Sequence, residues 1–238
     1  MDRDRRVFDR VKHFDERSRN FRAVEGIEQE PLRNRFWHCR CWNDQGFEGA
    51  CVGFAWSHEL CAQPVKFPTD ANFAQAIYHR AQQIDYWPGE DYEGTSVLAG
   101  VKAVQEILGE HNLPLISEYR WAFGLEDVVR TIGYKGPVVF GIDWYYSMYD
   151  PDENGFVSPR GDLAGGHAIL GRAVNLKFID PLGPKNFSNL DLDTSFIRLR
   201  NSWGITWGIN GDCRISLRDM DKLLKDGGEA CVPVVRNL

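Results

Sequence analysis

Gln45-Gly46-Phe47-Glu48-Gly49-Ala50-Cys51-Val52-Gly53-Phe54-Ala55-Trp56-Ser57-His58-Glu59-Leu60-Cys61-Ala62 reads as a turn of small residues opening into an apolar helix whose first residue is a thiol. Gly49 and Ala50 let the chain turn tightly, and Pro64 cannot continue a helix, so the pattern predicts a helix over 51–63. A helix start presents unpaired amide N–H groups and the positive end of the peptide dipole. Both favour the thiolate, the nucleophilic form of cysteine. The dipole contributes only ~0.3–1 kcal/mol at an exposed site, so a reactive Cys51 also needs a cationic neighbour.

Of the 6 histidines, His167 is the candidate for that neighbour. It follows Gly165-Gly166 and begins the apolar run Ala168-Ile169-Leu170, the pattern of a buried strand that can project a ring into a cleft. His58 and His79 fall inside helical patterns and read as ordinary helix residues. Asn201 closes another strand-like segment, 196–200, in which Ile197 and Leu199 alternate with arginines. A carboxamide oxygen there can accept the imidazole N–H and fix its tautomer, with Trp203 covering the bond from water. Gln45 can donate its side-chain N–H to a developing oxyanion beside the Cys51 amide, and one such donor is typically worth ~2.7–4 kcal/mol. A thiol, an imidazole and two carboxamides in this order can build a nucleophilic acyl-transfer site.

From Trp37 to the C-terminus these segments resemble the papain-like cysteine peptidases. The anchors are Gln45, Cys51, His167, Asn201, Trp203 and the tail Trp207-Gly208-Ile209-Asn210-Gly211, with His167 and Asn201 near the downstream distances expected of papain and the cathepsins. The resemblance implies Cys51 as nucleophile, His167 as acid and base, Asn201 as orienter and Gln45 as oxyanion donor. It implies a two-lobed α+β fold, with a helical N-terminal lobe, an antiparallel β-barrel-like C-terminal lobe and the site between them. Tyr92-Glu93-Gly94-Thr95 resembles the family's glycine-containing segment whose backbone binds an extended substrate, which makes Gly94 a candidate substrate-binding residue beside the reading as a helix-leading turn. The sequence departs from the family pattern where Glu48 replaces a disulfide-forming cysteine, Val52 a tryptophan and Gly166 an aspartate. Gly-Ala-Cys-Val-Gly-Phe-Ala is similar to bacterial and phage-encoded members. The link over 176–194 is longer than papain's and reads as a loop or hairpin insertion near the cleft.

The rest of the chain agrees with this class. At 238 residues and 43% hydrophobic, it can bury the core of one domain or two packed lobes. Helical spacing marks Phe73 to Ile84 with a cap near Asp70, Val97 to Leu108 with Thr95 or Ser96 as cap, and Leu125 to Ile132. Up to about Trp121 the chain reads as mainly helical. Strands are expected over 138–144, 167–174, 195–201, 212–216 and 230–235, with a helix over 217–225. Helices segregated from strands indicate α+β. The expected division is an arm over 1–36 and a peptidase domain over 37–238, split into a helical lobe at about 45–121 and a strand-rich lobe at about 122–238. Val7, Phe8, Val11 and Phe14 lie at helical spacing, so 4–16 is expected as an amphipathic helix docked on the body, or else covering the cleft.

A net charge of −6 gives no electrostatic case for nucleic acid or an anionic membrane, and no apolar run approaches the ~18 residues of a membrane helix. The N-terminus lacks the apolar core of a signal peptide, so a cytoplasmic location, possible also for a phage product in its host, is expected and disulfides are not. His38-Cys39-Arg40-Cys41 lacks a second ligand pair and reads as thiols in a strand rather than a metal site. Asp150 to Gly155 copies half of a calcium loop, but Gly161 stands where the closing glutamate belongs, and the segment reads as a turn. The expected function is a thiol peptidase acting on a peptide or protein substrate, with no metal or cofactor. The alternatives are a peptidase of peptidoglycan cross-links and an inactive papain-like module that only binds peptides.

Overall fold

The computed structural model describes residues 8–87, 93–113 and 115–235. Its centre is α1 (Cys51–Cys61), in which every residue is buried. No face of α1 is polar enough for water, so the helix is enclosed by α2 (Ala71–Ile84), α3 (Val97–Glu110) and the sheet. Asp70 and Ser96 cap α2 and α3, their side chains accepting from Phe73 N–H and Ala99 N–H. The helix α1 ends two residues before the expected Gln63, because Ala62 turns extended and gives its N–H back to His58 and Glu59.

The strands are β1 (Arg35–Phe36), β2 (Ile116–Trp121), β3 (Val138–Tyr145), β4 (Phe156–Val157), β5 (Leu163–Asn175), β6 (Phe196–Arg200), β7 (Asp212–Ser216) and β8 (Glu229–Val235). They form one sheet in the order β2-β8-β3-β5-β6-β7-β4, with β1 added beside β5. The sheet is open rather than closed into the expected barrel, and β4 runs parallel to β7. The strand β5 is its spine and pairs with β1, β3 and β6. Both faces are covered: Val139, Ala168 and Leu170 face the cluster of α1 and α3, while Phe140, Ile142 and Ile169 join the opposite core with α4 (Gly124–Tyr134) and α5 (Leu217–Lys225). Burial on two sides explains the apolar run Val138 to Ile142 in β3. The α+β architecture with a helical half and a strand half therefore stands.

Three further expectations are corrected. Residues 8–15 are not a helix; they run extended, followed by a 3-10 helix at Glu16–Asn20, and residues 4–7 of the expected helix lie outside the described residues. The strand β2 arises in a stretch read as mainly helical, because Ile116–Trp121 finds an open partner edge in β8. Cys41 and Cys61 form a disulfide, contrary to expectation, with Cα atoms 6.2 Å apart, inside the bridging range. Cys39 completes a buried group of three cysteines whose sulfur atoms all lie within 4.8 Å of one another. With two of the three in a disulfide, one thiol remains, and one thiolate is too few donors for a structural metal site. The link over 176–194 is a hairpin-like excursion, in which Phe178 bridges Leu190, and it is tied to Leu32 and Asn34. Asp152 accepts from the Asn154 and Phe156 amides, which makes its segment the expected turn. Among the described residues, no helix is long and apolar enough to cross a membrane.

A buried ionic cluster ties the loop before α1 to the sheet. Arg172 on β5 and Arg200 on β6 both pair with Asp212 on β7, the Arg200 contact at 2.6 Å. Their remaining N–H groups donate to the carbonyls of Trp37 and Cys41. Replacing Asp212 by Asn would leave two buried guanidinium groups uncompensated, and chemical unfolding of that variant is expected to show a loss of ~3–5 kcal/mol. Glu59 of α1 is 1% exposed, and burial pushes its carboxyl up to about 8. Its folded pKa lies above the unfolded value of 4.5, so its favourable contribution is complete below pH 4.5 and is lost as pH rises through about 8. Melting temperatures are therefore expected to fall between pH 5 and pH 8 in the parent protein and to fall less in Glu59→Gln, which calorimetry at the two pH values would measure.

Candidate active site

The order of elements places Cys51 at the first turn of α1 and His167 inside β5. The Ala50 position carries no side-chain cap, so the first-turn amides of α1 stay aimed outward beside the sulfur. The sulfur accepts the Ala168 N–H at 3.4 Å, which seats it against β5 at the residue following His167. His167 Nε2 lies 2.8 Å from Asn201 Oδ1. The same oxygen accepts the Ser202 N–H at 2.8 Å, so this atom is an acceptor and His167 must carry its proton on Nε2. That assignment turns Nδ1 into the basic nitrogen of the neutral ring. Trp144 and Trp203 enclose the imidazole with ring centroids 4.9 and 5.5 Å away, and His167 is fully buried.

Gln45 is held at three points. Its amide N–H donates to Ser202 O at 2.9 Å, its Oε1 accepts from Ser202 Oγ at 2.5 Å, and its Nε2 donates to Glu48 O at 2.8 Å. Oε1 is thereby engaged as the acceptor and Nε2 is fixed as the donor end, on the turn that leads into Cys51. The structure thus brings Gln45, Cys51, His167, Asn201 and Trp203 to one place. Sequence reasoning missed Ser202, which sits between Asn201 and Trp203 and supports both carboxamides. It also missed Trp144, whose only signal was an aromatic at the end of a predicted strand. Glu48 makes a contact with α2 by accepting from Gln75 Nε2 at 3.3 Å.

A segment of the chain itself lies over this site. Arg10 N–H donates to Gly166 O, Thr95 N–H donates to Asp9 O, and Val11 N–H donates to Thr95 O, at 2.9, 3.2 and 3.0 Å. The arm therefore runs extended between β5 and the start of α3, pairing with one wall after the other. The alternative that the arm covers the cleft replaces the docked helix. Phe8 packs edge-on against His167 and Trp203, with centroids 5.3 and 5.7 Å away. The Asp9 backbone amide lies near enough to the Cys51 sulfur to favour its anion. Bare backbone at Gly94 and Gly166 makes this approach possible, since a Cβ at either position would overlap the carbonyl of Asp9 or Arg10. Gly94 serves by lacking a side chain, and the hydrogen bonds come from Thr95; Tyr92 lies outside the described residues.

Solved structures share this architecture. Xylellain, a cysteine protease from Xylella fastidiosa, superposes with a TM-score of 0.61 at 14% identity, covering 98% of this chain and 97% of that one. The bromelain protease from Ananas comosus, in complex with the E64 inhibitor, gives a TM-score of 0.55 at 15% identity over 83% and 94% of the two chains. Digestive procathepsin L2 from Tenebrio molitor gives 0.55 at 16% identity over 96% and 74%. The chain has a papain-like fold. No family model matches the sequence, and no curated protein matches it either.

In this papain-like cleft, the arm changes the electrostatics of the thiol. Burial pushes Cys51 up to about 11, opposed by the Ala168 and Asp9 amides; the Asp9 carboxylate pushes it further up and Arg10 pulls it down. Burial of the thiol under the arm thus opposes the thiolate that the helix start favours. Burial pushes Asp9 up to about 6, and Glu93 adds repulsion. Displacing the arm with Phe8→Ala and Val11→Pro, which remove an aromatic anchor and a backbone donor, is expected to raise the rate of Cys51 alkylation by iodoacetamide at pH 7 by at least about tenfold. Mass-spectrometric mapping of the labelled cysteine would measure it, and equal rates would show that the arm does not shield the thiol.

Proposed function

We propose that this protein is a thiol peptidase, with residues 37–238 as the peptidase body and 1–36 as an arm whose stretch from Phe8 to Val11 lies in its cleft. The observation that carries this reading is the seating of the Cys51 sulfur, at the start of α1, against β5 beside a His167 whose Nε2–H is held by Asn201. The fold shared with cysteine proteases supports it.

In the proposed reaction the arm first leaves, which rehydrates the site and lowers the thiol pKa. His167 Nδ1 takes the Cys51 proton, and the imidazolium so formed keeps the anion stable. The sulfur attacks the scissile carbonyl carbon. The oxyanion is met by the Cys51 amide and Gln45 Nε2, each donor typically worth ~2.7–4 kcal/mol in the transition state. Collapse breaks the C–N bond, and His167 passes its proton to the leaving amine. A water molecule, deprotonated by the same ring, then hydrolyses the thioester and restores the thiol. Asn201 holds the ring in one tautomer throughout, while Trp144 and Trp203 keep water from the Asn201–His167 bond.

The test is hydrolysis of a peptide mixture by the full chain carrying Phe8→Ala and Val11→Pro, with and without Cys51→Ala. Turnover is expected only with Cys51 present, with unchanged circular dichroism in both forms. Cleavage that persists after the thiol is removed would sink the reading.

A further inference from the structure

The arm also reveals a pocket one residue away from the nucleophile. The Arg10 side chain is fully buried, and its guanidinium lies 3.7 Å from Asp143 Oδ1 and 3.7 Å from Glu229 Oε2. Among the described residues none of its side-chain nitrogens makes a hydrogen bond, and these two carboxylates are the acidic groups paired with the buried charge. Without anionic walls, such burial would strongly disfavour the arm. Asp143 comes from β3 and Glu229 from β8, adjacent strands of the sheet. Between them Gly141 provides the room: a Cβ there would stand 2.8 Å from Val97 Cγ2, 3.0 Å from Glu229 Oε2 and 3.1 Å from Arg10 Nε. At the rim, Lys12 Nζ donates to Asp143 Oδ2 at 3.2 Å, and the nearby His13 backbone favours the Glu229 carboxylate.

The direction of a substrate follows from the same contacts. The leaving amine must lie near His167, which protonates it, and there the arm has Phe8. The acyl side must then extend past Thr95 toward Asp143 and Glu229, where the arm has Arg10. A substrate thus runs opposite to the arm. We propose that Asp143 and Glu229 form the specificity pocket of this cleft, and that it selects a substrate with arginine or lysine immediately before the residue whose carbonyl Cys51 attacks. The inference rests on the peptidase reading for its use in catalysis, but the charge preference of the pocket can be measured without turnover.

The test uses the full chain with Phe8→Ala, Arg10→Ala and Val11→Pro, which empties the pocket, and with Cys51→Ala to stop chemistry. Acetyl-Ala-Arg-Gly-Ala-amide is compared with the same peptide carrying citrulline, its neutral isostere, by isothermal calorimetry. The arginine peptide is expected to bind at least about tenfold tighter, and Asp143→Asn with Glu229→Gln should reduce the difference to less than about threefold. Equal affinities, or no binding of either peptide at millimolar concentration, would overturn the proposal. With Cys51 restored, kcat/KM should show the same preference for arginine over citrulline. Selective binding without cleavage would leave the pocket standing and remove the peptidase reading; cleavage without charge preference would do the reverse.

Discussion

A helix that is apolar all round has to be enclosed, and in this chain that helix begins with Cys51. The enclosure of α1 between α2, α3 and β5 fixes where its first turn emerges, and it emerges against the strand that carries His167. The thiol and the imidazole come from opposite halves of the fold, so no local interaction could align them. What aligns them is the requirement that a buried helix and a doubly covered sheet exclude water along their shared face, worth roughly 25 cal/mol per Å² of apolar surface removed from solvent.

Charge is buried in the same region, and it is used to hold loops in place. Asp212 and its two arginines bind the carbonyls of Trp37 and Cys41, and so anchor the segment that leads to Gln45. His58, at the back of α1, is pushed down to about 3 by burial and by Arg200 and Arg172, so it stays neutral and accepts the Asn43 N–H. The loop that supplies the oxyanion donor is therefore braced from the sheet and from the helix. In the cleft, the arm reproduces this logic with Arg10 between Asp143 and Glu229, an ion cluster that can be undone when the arm departs.

Much of the site was legible because its residues carry local signals. Gly49-Ala50-Cys51 before an apolar run marks a helix start, Gly165-Gly166-His167 marks a strand entry, and Asn201-Ser202-Trp203-Gly204 marks a strand end. The arm was misread because Phe8, Val11 and Phe14 have helical spacing over a stretch too short to form a stable helix alone. Its backbone found partners in Gly166 and Thr95 instead of in itself. Ile116–Trp121 was missed as a strand because its middle is half exposed and its partner edge lies more than a hundred residues downstream. The Cys41–Cys61 disulfide escaped because compartment, not proximity, guided the expectation.

The sequence by itself determined the chemical groups, their order along the chain and the elements that bear them, since helix starts, strand periods and turns depend on neighbouring residues. Only the tertiary structure decided that the arm lies in the cleft, that burial pushes the pKa of the covered thiol up, and that Asp143 and Glu229 converge on one cation. Those outcomes depend on which surfaces lose water together, and desolvation is a property of the packed chain that no short stretch of residues encodes.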